Sequence, residues 1–460
     1  MVANVAIVGA GIAGLTCAEA LQRAGVDVVV LEARRSVGGR IRSVSTGEGV
    51  DYEAGPWRIP EEHTEMLKLC RKLGIALQPL RTPTLSTAEE DGYAGLSIWE
   101  STAYTTRSVA SADSADLATG YAGQTAAAAG SSPYTAGASK VYYVAPGGFQ
   151  EIADRLAEGL HGDAVRLDHR VVDVQRTEDG RYRLDVSVRG EWIERKVFHT
   201  SALFVCIPPS QCRDWKIMKE HAQPVLDAVE PGCLNHVYAR QLPGTASPAP
   251  FHRRAPKSLL QQTISDQYGR GWFQASYSAG RIARFWYDLF LVNASAMRTL
   301  LASLVRAETP VRGRMDPDSA TVHFWHEAYH HWVAAPGFNL RHAVDAATRP
   351  HPVKLPNVFL CGEAFSAHQA WMEGARRTAL RAVRAYLHPV SVQRRRRAAD
   401  EICVDGRLVD VSEFQHVHPG SLGAIRSHIE DEDVAELLRH IGHSKTANAI
   451  IFNLQSGWGS

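Results

Sequence analysis

The sequence predicts an α/β chain: a Rossmann-like nucleotide-binding domain, an α+β substrate domain interleaved with it, and a small α+β unit at the C-terminal end. Three observations carry this. The first thirty residues read as strand, glycine turn, helix and strand, and apolar strand runs then alternate with helical patterns to residue 387. Charge breaks at Ala398: beyond it 4 Lys+Arg face 10 Asp+Glu, a net of −6, which leaves 46 against 39, or +7, on residues 1–397. Such a break marks a separate unit.

Asn4–Val8 is a short apolar run of the kind buried inside a parallel sheet. It leads into Gly9-Ala-Gly11-Ile-Ala-Gly14, after which Leu15, Ala18 and Leu21 recur at helical spacing until Gly25. Val26–Leu31 is a second buried strand, ending in Glu32, 18 positions past the last glycine. In this context the glycine motif predicts a dinucleotide site. Gly9 makes the tight turn, Gly11 lets the backbone approach a pyrophosphate at the helix N-terminus, and Gly14 lets helix and sheet close together. Glu32 would accept hydrogen bonds from a ribose diol and repel a 2′-phosphate, which disfavours NADP.

Residues 61–75 predict a helix with Met66, Leu67, Leu69, Cys70 and Leu73 near one face, and residues 108–140, rich in Ala, Ser, Gly and Thr, a long surface loop. Order resumes at Tyr143–Phe149 and a helix to about Leu160. Strands are expected at Val165–Val174, Tyr182–Val188, Ala202–Ile207 and Val358–Gly362, with a helix over Trp371–Leu387. Arg394–Arg397 reads as a solvated linker.

Composition excludes several classes. The 460 residues are 45% apolar and 22% charged, enough for two or three cores and unlike a disordered or collagen-like chain. A total charge of +1 gives no electrostatic reason to seek nucleic acid or an anionic membrane. Seven scattered cysteines (17, 70, 206, 212, 233, 361, 403) without a C-x-x-C pair predict neither a disulfide framework nor a structural zinc site. No signal peptide fits, and no stretch reaches 18 uninterrupted apolar residues. A soluble cytoplasmic protein in a reducing compartment is the expectation.

Glu32-Ala-Arg34, Gly38-Gly39-Arg40, Gly147-Gly148-Phe149 and the passage from Cys361-Gly362-Glu363 to Trp371-Met372-Glu373-Gly374-Ala375 together resemble the flavin-containing amine oxidase family, over residues 4–387. The resemblance implies FAD, with Glu32 on the adenosine ribose, Arg34, Gly39 and Arg40 near the pyrophosphate, Val172 against the adenine, and Gly362, Glu363, Met372 and Ala375 along the rest of the cofactor. It also implies the division into an FAD-binding domain (1–60, 143–220 and 346–390), a substrate domain (61–142 and 221–345) and a linker (391–397). FAD is expected to be non-covalent: members that attach it use a cysteine in a Ser-Gly-Gly-Cys segment, and Ala328–Gly337 has none.

Asp51-Tyr-Glu-Ala-Gly55-Pro56-Trp57-Arg58-Ile59-Pro60 resembles the Gly-Pro-Met-Arg-Ile-Pro segment of L-amino acid oxidases. This puts Gly55, Pro56 and Trp57 beside the flavin and gives Arg58 the substrate α-carboxylate. A planar guanidinium grips a carboxylate with two parallel bonds. The alternative is an arginine held by the FAD phosphates or a surface carboxylate. Trp371 matches the aromatic that walls the amine, with ordinary core packing as its alternative. Trp325, Tyr329 and Trp332 fall at helical spacing and are equally assignable to the pocket or to packing. Where the family has a lysine that holds a water near the flavin, rough pairing puts His236, which would titrate near neutral pH. An ordinary strand histidine is an equal alternative.

From residue 398, Val404–Phe414, His418-Pro419-Gly420 and Gly442-His443-Ser444 resemble the cytochrome b5 family. That resemblance implies a haem b held by His418 and His443, 25 residues apart, and offers this short unit a core. Ser421 replaces a glycine and the spacing is about one residue long, so a haem-free contact unit is the alternative. The whole reads as an enzyme taking hydride from the Cα of an L-amino acid, with oxygen or another acceptor downstream. Amine or polyamine oxidation, 2-monooxygenation, a homodimer, and a silent flavin and haem module stay open.

Overall fold

The computed structural model describes residues 2–81 and 141–388, apart from 191–192, 243–251, 256–257, 310–314 and 334–339, together with a hairpin of Glu401–Val404 and Arg407–Asp410. The loop 108–140, the linker arginines, His418 and His443 lie outside the described residues.

Alternation in the first strand organises the nucleotide-binding half. In Val2–Val8, Ala6 and Val8 enter one core with Leu31, Leu203, Val205, Val358 and Leu360, while Val5 and Ile7 enter a second with Val28, Val30, Ala202, Phe204 and Phe359. Both faces of the sheet are therefore covered, which is why these strands read as unbroken apolar runs. Five strands are parallel, in the order Val165–Arg166, Val28–Leu31, Val2–Val8, Ile193–Val205, Val358–Leu360. The long strand Ile193–Val205 also pairs antiparallel with Tyr182–Arg189, which pairs with His169–Arg176. The expected strand Val165–Val174 is thus two, broken at Asp168, whose φ is +56°. Its second half leaves the parallel set and pairs antiparallel with Tyr182–Arg189 at the other end of the sheet.

Helices Ile12–Arg23 and Met372–Leu387 pack side by side on one face, so the glycine turn and the Trp371 turn meet at one end of the sheet. The expected helix near residues 61–75 spans Thr64–Lys72 and buries Met66, Leu69 and Cys70.

A second sheet is antiparallel throughout, in the order His252–Ala255, Gln261–Ile264, Trp272–Ala279, Val229–Gln241, Met315–Trp332. One face (Val237, Ala239, Phe273, Ala275) packs on Trp286, Met297, Leu301 and Val305 of the helices Gly280–Val292 and Ala294–Glu308. Side chains alternate along a strand, so His236 and Tyr238 point the other way, toward Tyr52. Tyr52 stacks on Tyr238 at 4.1 Å. The helical spacing of Trp325, Tyr329 and Trp332 was misleading: all three lie on the 18-residue strand Met315–Trp332. Its bulges against the neighbouring strand break the period of two that would have marked it. A three-stranded sheet of Ile59–Pro60, Val141–Val144 and Gln78–Arg81 brings Tyr142 beside Arg58. No described helix is long and apolar enough to cross a membrane.

Candidate active site

The turn after the first strand has the strained geometry its glycines allow. Gly9 has φ +98°, and a Cβ on Gly14 would stand 1.9 Å from the Gly9 carbonyl oxygen. A side chain at either place is excluded by backbone rather than by anything that could move aside. Gly11 differs: a Cβ there would approach only the Gly38 oxygen and Gly39 Cα, near 4 Å, and one on Gly362 meets nothing within 4 Å. No side chain caps the helix that Gly11 begins. Backbone lines the approach to an uncapped helix N-terminus, which suits a pyrophosphate in charge.

Charged groups surround that approach. Glu32 is buried, accepting the Ala10 N–H (2.7 Å) and the Arg34 N–H (2.9 Å), and His169 N–H bonds its carbonyl (2.8 Å). Arg34 donates to the Gly39 carbonyl (2.8 Å) and stands 5.5 Å from the Trp325 ring centre. Val172 is exposed on the strand that begins at His169, while Val171 and Val174 are buried. Arg40 pairs with Glu363 at 2.8 Å and with the Ala328 carbonyl at 2.8 Å. Burial works against ionisation of Glu363, but Arg40 and then His330 outweigh it and hold the carboxyl well below its usual range. Glu363 also accepts the backbone N–H groups of His330 (2.7 Å) and Ala370 (3.2 Å), which ties the second sheet to the turn before Trp371. A Cβ on Gly55 would lie 2.0 Å from the Arg40 carbonyl, so the Gly55-Pro56-Trp57 loop presses directly on this arginine.

Arg58 occupies an aromatic box. Its Cζ lies 4.3 Å from the ring centres of both Trp57 and Tyr142 and 6.0 Å from that of Trp371. Among the described residues no carboxylate lies within 4 Å of it, so the alternative of a surface ion pair finds no partner there. Trp371 is half-buried at the start of its helix, edge-on to His63 at 4.9 Å, and His63 in turn meets His368. Burial lowers His63 to about 4, so this ring is neutral at physiological pH. Met372 and Ala375 are buried against the glycine-turn helix.

His236 is buried and hydrogen-bonded through Nδ1 to Gln274 Nε2 at 3.0 Å. Burial lowers it to about 3, with His323 adding to the effect. This corrects the expectation of a histidine titrating near neutral pH. Tyr329 is buried with its ring over Gly232, and burial raises its hydroxyl above the usual range. Trp332 is a correction of another kind: fully buried in the nucleotide-half core, its indole donates to the Ser366 carbonyl (3.0 Å). It packs; it does not wall a pocket.

Several groups were not singled out from sequence. Tyr142 had no motif around it. Neither His63 nor His368 stood apart among 20 histidines. Glu53 is fully buried, accepting bonds from Phe149 N–H (2.8 Å), the Ser43 hydroxyl (2.9 Å) and the Tyr268 hydroxyl (3.0 Å), and burial raises it to about 7. Within Asp51-Tyr52-Glu53-Ala54 it gave no signal.

A family model for flavin containing amine oxidoreductases matches residues 12–94 and 106–230. Over those residues the chain is similar to the flavin-containing amine oxidoreductases. That family implies FAD, whose pyrophosphate the helix N-terminus at Gly11 suits. Curated relatives include an L-amino-acid oxidase of Bothrops pauloensis, 44% identical over 75 residues, and one of Siganus canaliculatus, 42% identical over 77 residues. Each match covers 16% of this chain, and the chain spans about 15% of the length of these relatives. Among solved structures, putrescine oxidase bound to putrescine superposes with a TM-score of 0.60 at 18% identity, covering 84% of this chain and 99% of that one. A triple mutant of putrescine oxidase gives 0.59 at 17%, covering 85% and 99%. At that identity the likeness concerns the fold.

Proposed function

We propose that this flavoprotein oxidises L-amino acids at the Cα–N bond, giving a 2-oxo acid, ammonia and hydrogen peroxide. The observation that carries the reading is Arg58, a guanidinium boxed by Trp57, Tyr142 and Trp371 with no carboxylate partner among the described residues. A cation held by aromatic faces, its fork without a hydrogen-bond partner among the described residues, suits an incoming carboxylate. When bound, FAD supplies the hydride acceptor. Glu32, Arg34, Arg40, Val172, Gly362 and the glycine turn are the residues that would hold it, non-covalently. Arg58 would fix the substrate carboxylate and so aim its Cα–H, while Trp371 and the neutral His63 would exclude water. Neutral His236 can orient a water through its ring but does not store a proton at working pH.

Amine oxidation is the second reading, favoured by the putrescine oxidase likeness in fold and by the same aromatic faces, which attract a substrate cation as well as Arg58. Turnover of a panel of L-amino acids and amines by wild type and Arg58→Ala separates the two. The first reading expects amino-acid turnover in which KM rises about 100-fold, the worth of a charge-assisted pair of bonds. An unchanged KM for amino acids, or turnover of amines alone, rules it out. The assignment of His418 and His443 to a haem b rests on the sequence resemblance alone, and purified protein without a reducible Soret band ends it.

A further inference from the structure

Three cysteines that are far apart in sequence meet behind the glycine turn. Cys17 lies on the helix Ile12–Arg23, Cys206 follows the strand Ile193–Val205, and Cys361 follows Val358–Leu360. Their Sγ atoms all lie within 4.8 Å of one another. Cys17 and Cys361 are fully buried and Cys206 is half-buried. The surroundings are apolar: Val5, Ile7, Ala202, Phe204 and Phe359 share the same core. Among the described residues no carboxylate or imidazole completes the group.

The arrangement selects its ligand by coordination number and by charge. The three Sγ atoms, all within 4.8 Å of one another, would have to draw together to share one ion, because bonds of about 2.3 Å hold three sulfurs no more than about 4.0 Å apart. Zinc takes four ligands in structural sites, and three thiolates are one short. Copper(I) accepts three thiolates but would leave a net charge of −2 in an apolar core, which is strongly unfavourable without partners. A trivalent centre with three thiolates is neutral.

We propose that Cys17, Cys206 and Cys361 form a three-thiol site for a soft, three-coordinate trivalent ion, of which arsenite is the accessible example. Binding is a condensation without redox change: three As–O bonds of As(OH)3 break, three As–S bonds form, and the three thiol protons leave with the hydroxides as three waters. The site is independent of the proposed substrate.

The FAD-loaded full chain, kept reduced with a phosphine, is treated with excess sodium arsenite and desalted. One arsenic per chain with a first shell of three sulfurs by X-ray absorption is expected. Cys206→Ser and Cys361→Ala should each weaken retention at least about 100-fold, the effective-concentration gain of one more tethered ligand. Cys233→Ser, outside the cluster, should leave it intact. Fewer than three sulfurs around arsenic in the wild type, or equal retention by Cys206→Ser, overturns the proposal, and the wild-type measurement holds even if a variant fails to fold. Retention of copper(I) but not arsenite also overturns it, because the charge argument then fails.

Discussion

Replacing Glu53 by Gln should make the protein more stable relative to wild type as pH rises. Glu53 is fully buried, and its carboxyl is raised from 4.5 to about 7 by burial, against the pull of three hydrogen-bond donors. Between those values the folded protein holds a proton that the unfolded chain has released. The native state therefore binds more protons, and stability from this group falls as pH climbs from about 4.5 to 7. A shift of about 2.5 units corresponds to about 3 kcal/mol, fully lost above pH 7. Glutamine carries no charge to bury. Its carbonyl can still accept from Phe149 and Tyr268, and its NH2 can donate to Ser43, so local geometry has a route to survive. Urea unfolding of both proteins at pH 4, 5, 6, 7 and 8 reads the difference. The gap should widen in favour of Glu53→Gln by up to about 3 kcal/mol across the window and then flatten. A gap that stays constant from pH 4 to 8 refutes the raised carboxyl and the dry environment that causes it.

Other perturbations probe the flavin cradle and its supports. Gly14→Ala places a methyl 1.9 Å from the Gly9 carbonyl oxygen, and purified protein should carry much less flavin, read as the 450 nm region absorbance per chain, with about 1–3 kcal/mol of stability lost. Glu363→Ala strips Arg40 and the His330 N–H of their shared acceptor and should cost about 3–5 kcal/mol by denaturant unfolding, with flavin loss alongside. Arg58→Lys keeps the charge but loses the planar fork; if the amino-acid reading holds, KM for L-amino acids should rise while KM for amines stays level. His236, lowered to about 3, should show no ring titration by NMR between pH 5 and 8, and a resonance that moves with a midpoint near 6.5 contradicts its burial.

Local grammar made the nucleotide-binding half legible. A buried strand, a glycine turn and a helix specify one another within thirty residues, because only glycine tolerates φ +98° at Gly9 and the backbone contact at Gly14. Arg58 was likewise found by its neighbours in sequence. The same reasoning failed at Trp332 because a bulged strand does not keep its period, and spacing alone then imitates a helix. It also misread His236, whose identity suggests a titrating group but whose buried surroundings deny it a charge.

The sequence by itself determined the α/β class and the glycine turn with Glu32 beyond it, because each depends on residues close together in the chain. Only the tertiary structure decided which distant groups share a space: Tyr142 against Arg58, Glu363 between Arg40 and His330, and three cysteines, at 17, 206 and 361, drawn to one point. Contacts across hundreds of residues are set by strand order and by which face of a sheet a side chain takes, and neither is written in local spacing.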